Sequence, residues 1–127
     1  MPTTLLRATP VLVVERITPS LQFFEKLGLS KTVEVPHGDE LGFVILEQGA
    51  VQIMLQSRAS VADDIGPQPS LGNQAALFVE VDDLELAIQN LTEYPVFLPR
   101  RKTFYGADEI GLIEPGGHHI TLAHFPG

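Results

Sequence analysis

The strongest constraint in this chain is an internal repeat. Slid along itself by 67 residues, it places Leu12 on Val79, Val14 on Val81, Ile17 on Leu84, Leu21 on Ile88 and Phe24 on Leu91. Further along, Leu29 falls on Val96, Phe43 on Ile110, Ile45 on Leu112 and Leu46 on Ile113. The final stretch matches best: Glu47 on Glu114, Gly49 on Gly116, Ile53 on Ile120 and Leu55 on Leu122. The register runs without a gap from residue 9 to residue 56. Chance aligns apolar residues at many offsets, but not an acid, a glycine and an alternating strand together. A repeat of this period means one supersecondary unit used twice, each copy completing the other's core.

Both copies read alike. The valine-rich runs 10–14 and 75–81 are strands. A helix follows each, over about 19–27 and 84–92, with apolar residues three and four apart: Leu21, Phe24, Leu27, then Leu84, Ile88, Leu91. Thr18-Pro19 offers a cap with proline at the first helical position, and Asp82-Asp83 puts acid at the positive end of the second helix. Phe24 belongs to the core and Phe23 to its flank. Gly28 and Tyr94-Pro95 stop the helices. Three strands then follow in each copy, about 30–35, 41–47 and 50–56, and 96–101, 108–113 and 118–124. The fold class is therefore α+β, two tandem βαβββ modules: module 1 about 5–57, a linker over 58–74, and module 2 about 75–125, together one domain. The linker, with Gly66, Pro67, Pro69 and Gly72, reads as a surface connection.

Composition excludes several classes. With 44% apolar residues among 127, the chain has enough to bury a core. The absence of cysteine removes thiol catalysis, disulfide staples and thiolate zinc sites. Sixteen acidic against eight basic residues, a net charge of -8, argue against nucleic acid as a partner. The N-terminal apolar run is too short for a membrane span, so a cytoplasmic, membrane-free protein is expected.

Three stretches carry a resemblance. Thr9 to Ile17 leads into Leu21-Gln-Phe-Phe-Glu-Lys-Leu-Gly-Leu29; Phe78-Val-Glu-Val-Asp-Asp-Leu84 opens the second copy; Tyr105-Gly106 precedes Ile113-Glu-Pro-Gly-Gly-His-His-Ile-Thr-Leu122. The duplicated module and these motifs resemble the glyoxalase/bleomycin-resistance/extradiol-dioxygenase superfamily, the vicinal oxygen chelate fold. The resemblance spans essentially the whole chain and implies curved mixed sheets that enclose a cleft, with helices on the outer face. It implies metal ligands on the first and last strands of each module. Those positions are Thr9, Met54, Ala76 and Thr121, two pairs separated by the same 67 residues. Alanine has no donor, methionine is soft and threonine is a weak neutral oxygen, so a metal-free site without a cofactor is expected.

Strand alternation extends the cleft face from those positions to Val11, Val13, Gln52, Gln56, Phe78, Glu80, His119 and Ala123. The resemblance implies that the Tyr105-Gly106 loop between 96–101 and 108–113 borders it, with Phe104 and Tyr105 beside Arg101; the alternative for the Arg100-Arg101-Lys102 run is a solvated strand end. Leu12, Val14, Ile53, Leu55, Val79, Ile120 and Leu122 should pack beneath the helices. Of the three histidines near the C-terminus, only His119 shares the cleft face, and His119 and Glu80 are the weak candidates for a catalytic or displaced metal-ligating role. Asp63-Asp64 in the linker has no partner in sight. The expected function is small-molecule sequestration of the bleomycin-resistance kind, with a cationic antibiotic suited to the acidic charge and a homodimer as the assembly. The alternative is a lyase, isomerase or dioxygenase with ligands displaced to His119 and Glu80.

Overall fold

The computed structural model describes residues 2–127. Its elements are β1 (Val11–Val14), α1 (Ile17–Leu27), β2 (Ser30–His37), β3 (Glu40–Gln48), β4 (Val51–Ser57), α2 (Arg58–Ile65), β5 (Ala76–Glu80), α3 (Leu84–Asn90), β6 (Val96–Lys102), β7 (Asp108–Ile113) and β8 (His119–His124). They form two four-stranded mixed sheets, ordered β1-β4-β3-β2 and β5-β8-β7-β6. In each sheet the first pair is parallel and the others antiparallel. This is the α+β tandem βαβββ arrangement expected, with the two sheets left open. Edge strands invite pairing with other chains. The outer ones, β2 and β6, each contain a proline (Pro36, Pro99) and a register irregularity that blunt this tendency.

The repeat is visible in the ladders. Leu12 pairs with Leu55 in the first module and Val79 with Leu122 in the second, both shifted by 67. The offset changes, however, in β7. Val44 lies opposite Leu55, while Ile110, not Gly111, lies opposite Leu122. From the register, β3 and β7 are therefore related by 66 residues, and the gapless alignment is one residue out there. The extra residue lies in the turn between β7 and β8. A slip of one residue exchanges the faces of a strand, so Phe43 corresponds to Glu109 rather than to Ile110.

Apolar residues of both modules merge into one core. It contains Leu12, Val14, Ile53, Leu55, Ile120 and Leu122, with Val79 partly buried beside them, as alternation requires. The helices depart from the sequence reading in two respects. Helix α1 begins at Ile17 after Arg16, which provides no side-chain cap and instead pairs with Glu40 at 2.8 Å. Pro19 then sits within the first turn, where its missing N–H has no intrahelical acceptor to lose. Phe23 is not a flank. It is fully buried, edge-on to Phe24 at 5.1 Å and to Tyr94 at 4.8 Å between centroids. Contact between α1 and α3 covers the side of α1 that a lone amphipathic helix would expose.

The modules are joined most tightly where the β7–β8 turn meets β1 and α1. His118 is 2% exposed; its Nδ1 accepts the Ala75 N–H at 2.9 Å, so Nε2 carries the hydrogen and donates to the Val13 carbonyl at 3.0 Å. Buried Glu114 braces the turn by accepting the N–H groups of Gly116 and His118 at 2.8 and 3.2 Å. Beside it, the fully buried Ser20 hydroxyl has no hydrogen-bond partner. Ser20→Ala is therefore expected to be neutral or to stabilise the protein by up to about 1 kcal/mol in urea denaturation, because it removes a desolvated, unpaired group from a helix. A loss of more than 1 kcal/mol would show that the hydroxyl has a partner in solution.

Candidate functional site

The face of each sheet turned away from α1 and α3 carries the candidate residues, and the two modules present different chemistry. In module 1, α2 lies across it, where the sequence suggested a plain connection. Ser57 caps this helix by accepting the Ser60 N–H at 3.1 Å, and Gly66 ends it at φ 80°. The glycines and prolines that signalled a linker begin at that residue, after the last turn of the helix. Helix α2 packs against β1, β3 and β4. Arg58 ties it to Glu15 at 2.7 Å and to the Leu71 carbonyl at 2.8 Å. Asp63 is paired after all, at 2.5 Å from His37 Nε2. Val13 is consequently buried under this segment rather than open to a cleft, while Val11 stays half exposed.

Nearby, Thr9 donates to Gln52 Oε1 at 2.8 Å, and Gln52 in turn donates to Glu47 at 3.3 Å. Gln56 donates to Ser60 on α2 at 3.1 Å. Met54 stands between Val11 and Ile45 in the ladder. The polar groups of this face are already occupied with one another.

Module 2 offers a more open wall. Phe78 and Glu80 lie opposite Thr121 and Ala123, and Ala76 lies opposite His119. The Phe125 ring is 6.2 Å from both Phe78 and Tyr105, and the three rings are each 40–52% exposed. His119 is edge-on to Phe97 at 4.5 Å. The Phe97 ring lies over Gly111, whose ladder partner is the neighbouring Leu98 and where an added Cβ would lie 2.6 Å from the ring. Ala123 and Gly111 keep the floor low. Aromatic rings stand over it with their faces available for stacking or for a cation.

One charged group was missed by the sequence reading. Glu109 is 1% exposed and lies on this wall beside Ala123. Arg101 donates to its Oε1 through Nε and Nη2, each at 2.9 Å, and the Tyr105 hydroxyl stands 3.0 and 2.9 Å from the two carboxylate oxygens. A signal for it was present. Arg101 and Lys102 are mirrored by Glu109 and Asp108 across the Tyr105-Gly106 turn, and these are the pairs the hairpin forms. Arg101, although its side chain is 55% exposed, is thus held on the wall by Glu109. Arg100 faces the other way, bonding Asp108 at 2.9 Å and Glu85. Hydrogen bonds from Arg100 hold the Asp108 carboxyl below its ordinary range. Phe104 is fully exposed at the hairpin tip, touching Tyr105 edge-on at 5.2 Å.

The resemblance implies a metal, and the residues do not fit one. Thr9, Met54, Ala76 and Thr121 together supply two neutral hydroxyls and a thioether. Among the described residues, no three His, Asp or Glu side chains are gathered as a ligand set. His118 is committed to the module joint, and His124 Nδ1 lies 3.1 Å from the Val81 carbonyl, so neither accompanies His119.

No protein-family model matches the sequence, and no curated protein matches it. Solved structures do. A glyoxalase/bleomycin resistance protein/dioxygenase from Nocardioides superposes with a TM-score of 0.73 at 20% identity, covering 98% of this chain and 86% of that one. A lactoylglutathione lyase from Agrobacterium tumefaciens gives 0.71 at 16% identity over 97% and 94%. A glyoxalase-related enzyme from Fulvimarina pelagi gives 0.75 at 15% identity over 94% and 87%. Identities this low establish a shared fold, and it is the fold that the sequence resemblance implied.

Proposed function

We propose that this protein binds a small organic molecule on the aromatic wall of module 2 and holds it without making or breaking a bond. One observation carries the reading: Phe78, Tyr105 and Phe125 present half-open rings on a wall whose donor positions, Ala76 and Thr121, are unsuited to a divalent ion. Rings of this kind gain stacking and cation–π energy, and Glu80 with the net charge of -8 favours a cationic ligand such as a glycopeptide antibiotic. Exposed apolar groups on both modules, among them Val33, Val35, Phe78 and Val96, suit a homodimer that would cover these faces. A cytoplasmic location accords with the absent cysteines. No helix among the described residues is long and apolar enough to cross a membrane.

The test is thermal denaturation with a bleomycin-type glycopeptide and, separately, with Ni, Zn, Mn, Fe(II) and Co. The glycopeptide should raise the melting temperature, and Phe78→Ala should weaken its binding about tenfold, the loss expected for one stacked ring. Stoichiometric metal that disappears in His119→Ala would overturn the reading in favour of a metal-dependent lyase, isomerase or dioxygenase.

A further inference from the structure

Beneath α2 the fold places a chemically different site, a half-open apolar pocket. It lies between β1 and the segment that follows the helix, with a volume of about 270 Å³. A smaller lobe of about 120 Å³ adjoins it and shares Val13, Val61 and Leu71. The main chamber is walled by Val13, Val61, Ala62, Pro67, Pro69 and Leu71. Two polar side chains reach the main chamber and both already donate within the chain, while Gln56 and Asp64 border only the smaller lobe. Arg58 bonds Glu15 and the Leu71 carbonyl, and Gln68 donates to the Ile65 carbonyl at 3.4 Å. A water here would find few partners, and a charged ligand would lose hydration with nothing to replace it.

We infer that this cavity is a binding site for a small, uncharged, apolar molecule of one or two rings. Size supports the class, since an apolar cavity of roughly 150 Å³ is enough to take up benzene. The walls are held in place rather than collapsed. Ser57 caps the helix, Asp63 is tied to His37, and Gly72 turns at φ 89° with Arg58 packed where a Cβ would stand. The strap therefore arches over β1 instead of closing onto it. None of these wall residues belongs to the aromatic wall of module 2, so the site is independent of the function proposed above.

Toluene and its charged analogue benzylammonium are the probes. Toluene at tenfold excess over its Kd should raise the melting temperature by about 4 °C, and benzylammonium should not do so through this site. Nuclear Overhauser contacts should run from toluene to the methyl groups of Val13, Val61 and Leu71 in the unaltered protein, which reads the site without any variant. Ala62→Phe, placing a ring inside the chamber, should abolish the toluene shift, and Phe78→Ala should leave it intact. Toluene contacts confined to Phe78 and Phe125, or no toluene shift at all, would overturn the inference. A normal toluene response alongside a failed glycopeptide response would overturn only the function proposed for module 2.

Discussion

His118→Ala is expected to destabilise the protein by about 3 kcal/mol, because it strands the buried Val13 carbonyl and the partly buried Ala75 N–H, each costing about 1–3 kcal/mol when unpaired, and leaves a void. The imidazole is the sole bridge between the Ala75 N–H and the Val13 carbonyl, which belong to different modules. Val13 is on β1 and Ala75 immediately precedes β5, each an edge strand of its sheet, so no neighbouring strand stands ready to take over. The vacated volume adds to the loss, since His118 is among the fully buried side chains. For a chain of this size the melting temperature should fall by roughly 10 °C. Circular dichroism during heating and urea titration read the change. A loss under 1 kcal/mol would mean that the modules are not joined through this ring. His119→Ala is the companion measurement: that side chain is only edge-on to a phenylalanine, and its loss should be much milder.

Gly116→Val should be comparably damaging for a purely steric reason. A Cβ at residue 116 would stand 2.3 Å from Val14 Cγ1 and 2.6 Å from Glu114 Oε1, well inside any tolerable contact. Val14 is 2% exposed and packed in the shared core, so it cannot yield. Forced overpacking of this kind costs about 1–3 kcal/mol, and the branched valine should reach the upper end. Its counterpart in the repeat provides the control. Gly49 has open space around it, but turns at φ 57°, so Gly49→Asn should be nearly neutral. Gly116→Asn should not. Shaving the neighbour should help: in Gly116→Ala, adding Val14→Ala should recover part of the loss as a favourable coupling between the two sites. Additive losses in that double variant would refute the clash.

The two predictions concern one joint, and that joint is where the repeat stops being symmetric. The turn joining β3 and β4 is short, with Gln48 paired directly to Val51, whereas the β7–β8 pairing ends at Ile113 and His119. The longer turn carries Glu114, Gly116 and His118 into module 1. The aligned sequences marked Gly49 and Gly116 as equivalent, and counted back from Leu55 in β4 and Leu122 in β8 they are. Their reasons for being glycine differ: one needs a left-handed backbone, the other needs room.

Sequence by itself determined the βαβββ order within each module, the class of fold and the inward sides of β1, β4, β5 and β8. These depend on period-two and period-3.6 patterns, which are local and were read from Leu12, Leu55, Ile120 and Leu122 without reference to neighbours. It also determined the poverty of donors at Thr9, Met54, Ala76 and Thr121, because residue type alone decides that. Tertiary structure decided the rest. It alone assigned β7 its face, since pairing register is a property of two strands, and a slip of one residue turns Glu109 into the buried acid of the wall. It buried Phe23 through contact with α3 and Tyr94, and it turned part of a proline-rich linker into a capped helix lying over β1. The same packing divided what read as one continuous cleft into an open aromatic wall and a half-open apolar pocket beneath α2. Local chemistry specifies each module; only the contacts between distant segments specify what each module's face can hold.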